Sequence, residues 1–154
     1  VDVAVDPYTA FQVFVEDVNV WWRRGPQYRF LPPWDAPLKF EGGKGGRLVQ
    51  ESRSPGGHEF EVGRIREWSP GERLVLEWRL PNFASDQSTE VEIQFEAREG
   101  GTRVTLEHRG WENIPLGHQA RHGLKGRAFV LLNGQNWADN LRDFRVFCSV
   151  KSEI

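Results

Sequence analysis

The sequence contains a single cysteine, Cys148, and no methionine. One thiol excludes an internal disulfide, and this usage predicts a reducing, cytoplasmic setting. The missing methionine, even at the first position, predicts a segment trimmed at its N-terminus. No apolar run approaches the roughly 20 residues needed to cross a bilayer, and no signal peptide is evident. An excess of charge of either sign is also lacking. The net charge is −2 and the two signs are interspersed. That leaves neither an electrostatic footprint for nucleic acid nor a polybasic membrane anchor. Internal repeats and low-complexity linkers are absent too. At 154 residues the chain is expected to form one domain, 1–154. A chain of this length buries roughly two-thirds of its unfolded surface and needs no metal or disulfide to fold.

What the sequence does have is rings. Seven Trp and ten Phe favour a roomy core or a lined pocket. Val1, Val3 and Val5 alternate with polar or small residues and predict a short strand. Asp6-Pro7 is a helix start, and the helix should carry Ala10, Phe11, Phe14 and Val18 on one face as far as Trp21-Trp22. Tyr28 to Phe40 is rich in Pro and aromatics and reads as irregular. Strands are expected at Arg47–Ser52, Glu59–Trp68, Leu74–Leu80, Glu90–Arg98 and Thr102–Trp111, with turns at Ser54–Gly57, Ser69–Glu72 and Gly100-Gly101. Leu116–Asn133, interrupted by Gly117, Gly123 and Gly126, reads as a loop or broken helix. A helix from about Gln135 to Phe147 should present Trp137, Leu141, Phe144 and Cys148. The order is α+β: a curved antiparallel sheet whose inner face only the terminal helix is long enough to cover, around an internal cavity.

Several patterns invite sharper readings. Gly42-Gly43-Lys44-Gly45-Gly46 is no phosphate loop, because a strand rather than a helix follows it and Lys44 precedes Gly45. His118 and His122 have the spacing of zinc ligands. Gln119 stands where a general-base Glu would be needed and no third ligand is near, so no metal or other cofactor is expected. Cys148 has no basic neighbour to activate it and is expected to be a buried structural thiol. Arg64 and Arg66 conflict with their neighbours: strict alternation with Val62 and Trp68 turns them inward, alternation with Gly63 and Ile65 turns them out. A bulge near Gly63 would reconcile the two, with the arginines paired on the surface to residues such as Glu77. His108 alternates with Val104 and Leu106 and points inward, where a buried imidazole needs partners.

The run Gly63-Arg64-Ile65-Arg66-Glu67-Trp68-Ser69-Pro70-Gly71-Glu72-Arg73-Leu74-Val75-Leu76-Glu77-Trp78 resembles a signature of the Hsp90-ATPase-activator-like family. So do Thr89–Phe95, the stretch Gly100–Arg109, the start from Val3 to Phe14 with Trp21-Trp22, and Gly45-Gly46-Arg47-Leu48. The resemblance covers nearly the whole chain and departs between Gly117 and Asn136, at the expected cavity entrance. It implies the helix-grip (START-like) fold, whose members include lipid and hormone binders, polyketide cyclases and chaperone regulators. Function therefore has to be argued from the site.

Three functions follow as expectations. The first is a non-catalytic domain binding a small apolar or aromatic molecule. Its cavity would be walled by Trp78, Leu76, Phe95, Trp137, Leu141, Phe40 and Phe60, with His108 giving one orienting hydrogen bond. The second, implied by the resemblance, is a partner that stimulates an Hsp90-type chaperone ATPase. The third is a cyclase or hydrolase with His108 as acid–base, for which no second catalytic group can be placed. Monomer and homodimer both remain open.

Overall fold

The computed structural model describes residues 1–52, 57–124 and 126–153. Most of the turn expected at Ser54–Gly57 lies outside them. Seven antiparallel strands form one curled sheet: β1 (Asp2–Val3), β2 (Leu38–Phe40), β3 (Arg47–Gln50), β4 (Phe60–Ser69), β5 (Arg73–Trp78), β6 (Thr89–Arg98) and β7 (Gly101–Arg109). Their spatial order is β1-β7-β6-β5-β4-β3-β2. Helices α1 (Pro7–Glu16), α2 (Val18–Trp21) and α3 (Gly126–Ser152) complete the chain, with short 3-10 turns at Trp111–Asn113 and Gln119–Arg121. A long terminal helix held in the curl of an antiparallel sheet is the helix-grip arrangement.

Alternation along the meander builds the inner face row by row. Leu74, Ile93 and Leu106 stand side by side on β5, β6 and β7, and Leu76, Val91 and His108 form the next row. The outer face carries charge. Glu77 lies opposite Glu90, and Glu92 opposite Glu107, pairings that repel. Arginines relieve them: Arg66 reaches Glu77 (3.0 Å) and Glu90 (3.4 Å), while Arg73 and Arg109 converge on the buried Glu92. These guanidinium partners, Arg109 first, hold the Glu92 carboxyl below its usual range.

β4 shows how the arginine conflict resolves. Val62, Ile65 and Trp68 all join the core at spacings of three, not two. The pairing slips by one residue against β3 between Glu61 and Gly63, and again against β5 between Ile65 and Glu67. Each extra residue is a bulge, so Arg64 and Arg66 both face solvent. β4 also changes partner midway: Phe60–Arg64 pair with β3 and Ile65–Ser69 with β5. Gly63 is obligatory here, because a Cβ on it would sit 1.4 Å from the carbonyl oxygen of Glu77.

Asp6 caps α1 as expected, accepting from the Thr9 backbone N–H at 3.2 Å and from its hydroxyl. The helix does not run on to Trp22 in one piece. It ends at Asp17, and the Trp21 indole turns back to donate to the carbonyls of Val13 and Phe14 (3.3 Å each). A side chain thus adds a donor to carbonyls of the last turn, that of Val13 also serving the Asp17 N–H. Phe11 and Phe14 pack on Phe95 at 5.3 and 6.1 Å between ring centres, so α1 closes one end of the inner face.

The largest departure from the sequence reading is α3. It begins at Gly126 and not near Gln135, and it is 27 residues long. Ala128, Leu131 and Leu132 are strong helix formers, and Gly126 sits at the start, at a φ of 52° that glycine adopts without strain. Gly134 costs about 1 kcal/mol in a helix interior, a deficit that burial of Phe129 one turn earlier offsets. The buried stripe therefore runs from Phe129 through Trp137, Leu141 and Phe144 to Cys148. The strand β2 within the Pro-rich stretch, and the shortening of β1 and β3, are smaller differences.

Candidate functional site

At the end of the sheet opposite α1, the first half of α3 stands off from β5–β7 and leaves a cavity of about 140 Å³. Its wall is aromatic: Trp22, Tyr28 and Phe30 from the segment after α2, Trp78 from β5, Trp111 after β7, and Phe129 and Trp137 from α3. The rings interlock. Trp137 lies 5.2 Å from Trp78 and 5.3 Å from Trp22, and Trp111 lies 4.7 Å from Phe129. A second hollow of about 530 Å³ shares His108, Trp111, Phe129, Asn133 and Trp137 with the first, and adds Leu106, Arg121, Val130 and Leu141.

Irregular segments bring these rings in, so each needs an anchor. Arg29 is 4% exposed and serves the Pro-rich stretch. Its guanidinium donates to the carbonyls of Arg23 (3.1 Å), Ala36 (2.8 Å) and Trp22 (2.9 Å), and to the Asn19 side chain (3.1 Å). Gln50 accepts from the Phe30 N–H (2.9 Å) and donates to the Leu31 carbonyl (2.6 Å). Across the mouth, the Arg23 backbone N–H donates to Asn140 (2.9 Å), and the Arg23 side chain pairs with Asp143 (2.8 Å). These bonds tie the stretch to α3. On the other side, Arg121 donates to the carbonyls of Ile114 (3.2 Å) and Trp111 (2.5 Å), and its guanidinium stacks 5.2 Å over Phe129.

His108 faces inward as the alternation predicts. An indole N–H can only donate, so the 3.0 Å contact from Trp137 Nε1 makes His108 Nδ1 the acceptor. The proton of the neutral ring is then on Nε2, which donates to Thr89 Oγ1 at 2.7 Å. The Thr89 hydroxyl in turn donates to the Trp78 carbonyl at 3.3 Å. Burial pushes the His108 pKa down to about 3, so the ring is neutral at pH 7. Both nitrogens are spent within the protein. The orienting bond to a guest expected of His108 therefore has no free atom to make it, and acid–base work would require breaking this chain.

The other expected wall residues divide. Trp78, Trp137 and His108 come together around the cavity, and Leu141 lines the adjoining hollow. Four do not line either hollow. Leu76 is packed within the sheet, since Ile65 and Val91 flank it across the strands. Phe95 lies under Phe11 and Phe14 at the closed end. Phe40 packs on Phe14 at 6.2 Å, and Phe60 sits behind Phe30 at 5.8 Å. Sequence reasoning passed over Trp22, Phe30, Trp111, Arg121 and Phe129 as site residues. All but Phe129 lie outside long periodic elements; the signal was the aromatic content of Pro- and Gly-rich connectors.

His118 and His122 do not share a helical face. His118 opens a three-residue 3-10 turn, with Nδ1 accepting from the Ala120 N–H and Nε2 bonded to the Asn82 carbonyl, each at 3.0 Å. His122 ends the turn at φ 52°. Among the described residues no three His, Cys, Asp or Glu side chains cluster as metal ligands, and no helix is long and apolar enough to cross a membrane.

Comparison with known structures places this geometry in context. A crystal structure of a protein from Nitrosomonas europaea matches with a TM-score of 0.68 at 14% identity, covering 100% of this chain and 94% of that one. One from Rhizobium leguminosarum gives 0.59 at 14%, covering 97% and 90%. These two show the shared fold. The solution structure of CalC from Micromonospora echinospora, a self-sacrificing resistance protein, gives 0.63 at 25% identity and covers 98% and 92%. No curated protein matches the sequence significantly. A family model described as activator of Hsp90 ATPase homolog 1-like protein matches residues 11–146, which spans the sheet, the cavity wall and most of α3, and the chain belongs to that family.

Proposed function

We propose that the chain binds a small aromatic molecule in the cavity between α3 and β5–β7. The observation that carries this reading is the ring of Trp22, Trp78, Trp111, Phe129 and Trp137 around a hollow of about 140 Å³. A dry engineered cavity of about 150 Å³ takes up benzene, so the inner hollow has the size for one ring, with the adjoining hollow open to a larger guest. Apolar burial drives the binding at about 2.5 kcal/mol per 100 Å². The His108 imidazole in the wall is neutral and fully bonded, so it adds rigidity rather than reactivity. CalC from Micromonospora echinospora is a self-sacrificing resistance protein, which supports including toxic molecules among the candidate guests.

The test is a panel of aromatic molecules read by thermal shift and native mass spectrometry. A guest at about a hundred times its Kd stabilises the fold by about 2.7 kcal/mol. A panel in which no member raises the melting temperature sinks the reading.

The family description favours a second reading, a partner for an Hsp90-type ATPase. Adding the chain to such an ATPase should then raise its turnover, and an unchanged rate rejects it.

A further inference from the structure

The walls of the two hollows contain donors that the protein leaves unfilled. Arg121 is 7% exposed and lines the larger hollow. Its Nε and Nη2 are bonded to carbonyls, and Nη1 has no hydrogen bond among the described residues. The charge is uncompensated as well. Arg121 forms no ion pair with Asp or Glu among the described residues, and none of the residues lining either hollow is acidic. Beside it, the Trp111 Nε1–H is buried without an acceptor. Trp111 lines both hollows and is joined to Arg121 through its own carbonyl.

Buried charges are normally paired, and buried donors normally bonded, because leaving either unmet is costly. By contrast the nearly buried guanidinium of Arg29 is surrounded by five acceptors. Arg121 differs: its face lies on Phe129, and its Nη1 has no acceptor among the described residues where the side chain lines a hollow.

We propose that the guest is an aromatic anion: rings packed against Trp111, Phe129 and Trp137, and an anionic oxygen held by Arg121 with the Trp111 N–H as the second donor. This rests on the cavity reading above and narrows it to a chemical class. A guanidinium offers a carboxylate, sulfonate or phenolate oxygen a charge-assisted bond, and a setting without carboxylates adds no repulsion.

Two dyes sharing one ring system separate the contributions. 8-Anilinonaphthalene-1-sulfonate carries the anion, and N-phenyl-1-naphthylamine is the same skeleton without it. Fluorescence titration of the folded protein should show the sulfonate binding about tenfold tighter or more, the scale of one charge-assisted hydrogen bond. Arg121→Met should bring the two affinities together. Because Arg121 also supports the Trp111 and Ile114 carbonyls, Trp111→Phe is the second variant. It keeps a ring in place, removes the unfilled donor together with part of the indole, and should weaken the sulfonate more than the amine, since the lost ring surface serves both dyes alike. Equal affinities for the two dyes in the unmodified protein overturn the anion proposal and leave the cavity reading standing. An affinity ratio unchanged in both variants overturns it too. Failure of both dyes to bind overturns both readings.

Discussion

The Trp137 indole N–H and His108 Nδ1 face each other at 3.0 Å, and this contact fixes the tautomer of the imidazole that β7 contributes to the cavity wall. Protonating His108 would set one N–H against another in a buried place. Burial alone already depresses the folded-state pKa, to about 3 from 6.5. The stabilisation from the neutral ring is complete above pH 6.5 and is lost as the pH falls towards 3, because only the unfolded chain takes up the proton in that window.

Urea unfolding at pH 7 and pH 5 checks this. The protein should lose about 2 kcal/mol across those two units from this residue. His108→Gln should be less stable at pH 7 and nearly flat between the two. A slope that survives in the variant removes His108 as its source.

Gly63→Ala should destabilise by about 3 kcal/mol, since the new methyl group overlaps the Glu77 carbonyl across the sheet. Gly117→Ala is the control. Nothing lies within 4 Å of a Cβ there, and the change should stay within about 0.5 kcal/mol. Chemical denaturation midpoints measure both.

Arg29→Lys should cost about 3 kcal/mol, although the charge is kept. A single ammonium cannot reach the Arg23, Ala36 and Trp22 carbonyls that the planar fork holds together. Thermal unfolding gives the loss. Increased exposure of Trp22, read by fluorescence quenching, reports the loosening of the cavity wall.

Cys148 should resist thiol reagents in the folded protein. Burial, aided by the Asp17 carboxylate, pushes its pKa up to about 12. Labelling with a disulfide reagent should be negligible from pH 7 to pH 9 and become complete in denaturant. Fast native labelling would show that the end of α3 opens.

Much of the scaffold was legible because β5–β7 obey a period of two and the second half of α3 a period near 3.6. Leu74, Leu76 and Trp78 needed only that rule. It failed where packing outweighs local preference. Gly126 and Gly134 hid the first half of α3, which is held helical by Phe129 against Trp111. Three-residue β2 is too short to show a period at all. The site was legible only at Trp78, His108 and Trp137, the wall residues on predicted regular elements. Trp22, Phe30 and Trp111 reach the cavity because Arg29, Gln50 and Arg121 bind backbone carbonyls, and such long-range bonds leave no periodic mark.

The change of partner midway along β4 divides the molecule's tolerance to substitution. Residues 38–50 and the first half of β4 answer to the Phe30 rim through Gln50 and Phe60. β5–β7 answer to the His108 wall. Between them the sheet is joined largely through ten residues containing two bulges. Sequence drift on the ribbon side can therefore reshape the rim of the cavity while the imidazole and its bonded neighbours stay in register, leaving one half of the site free to change its guest while the other keeps the fold.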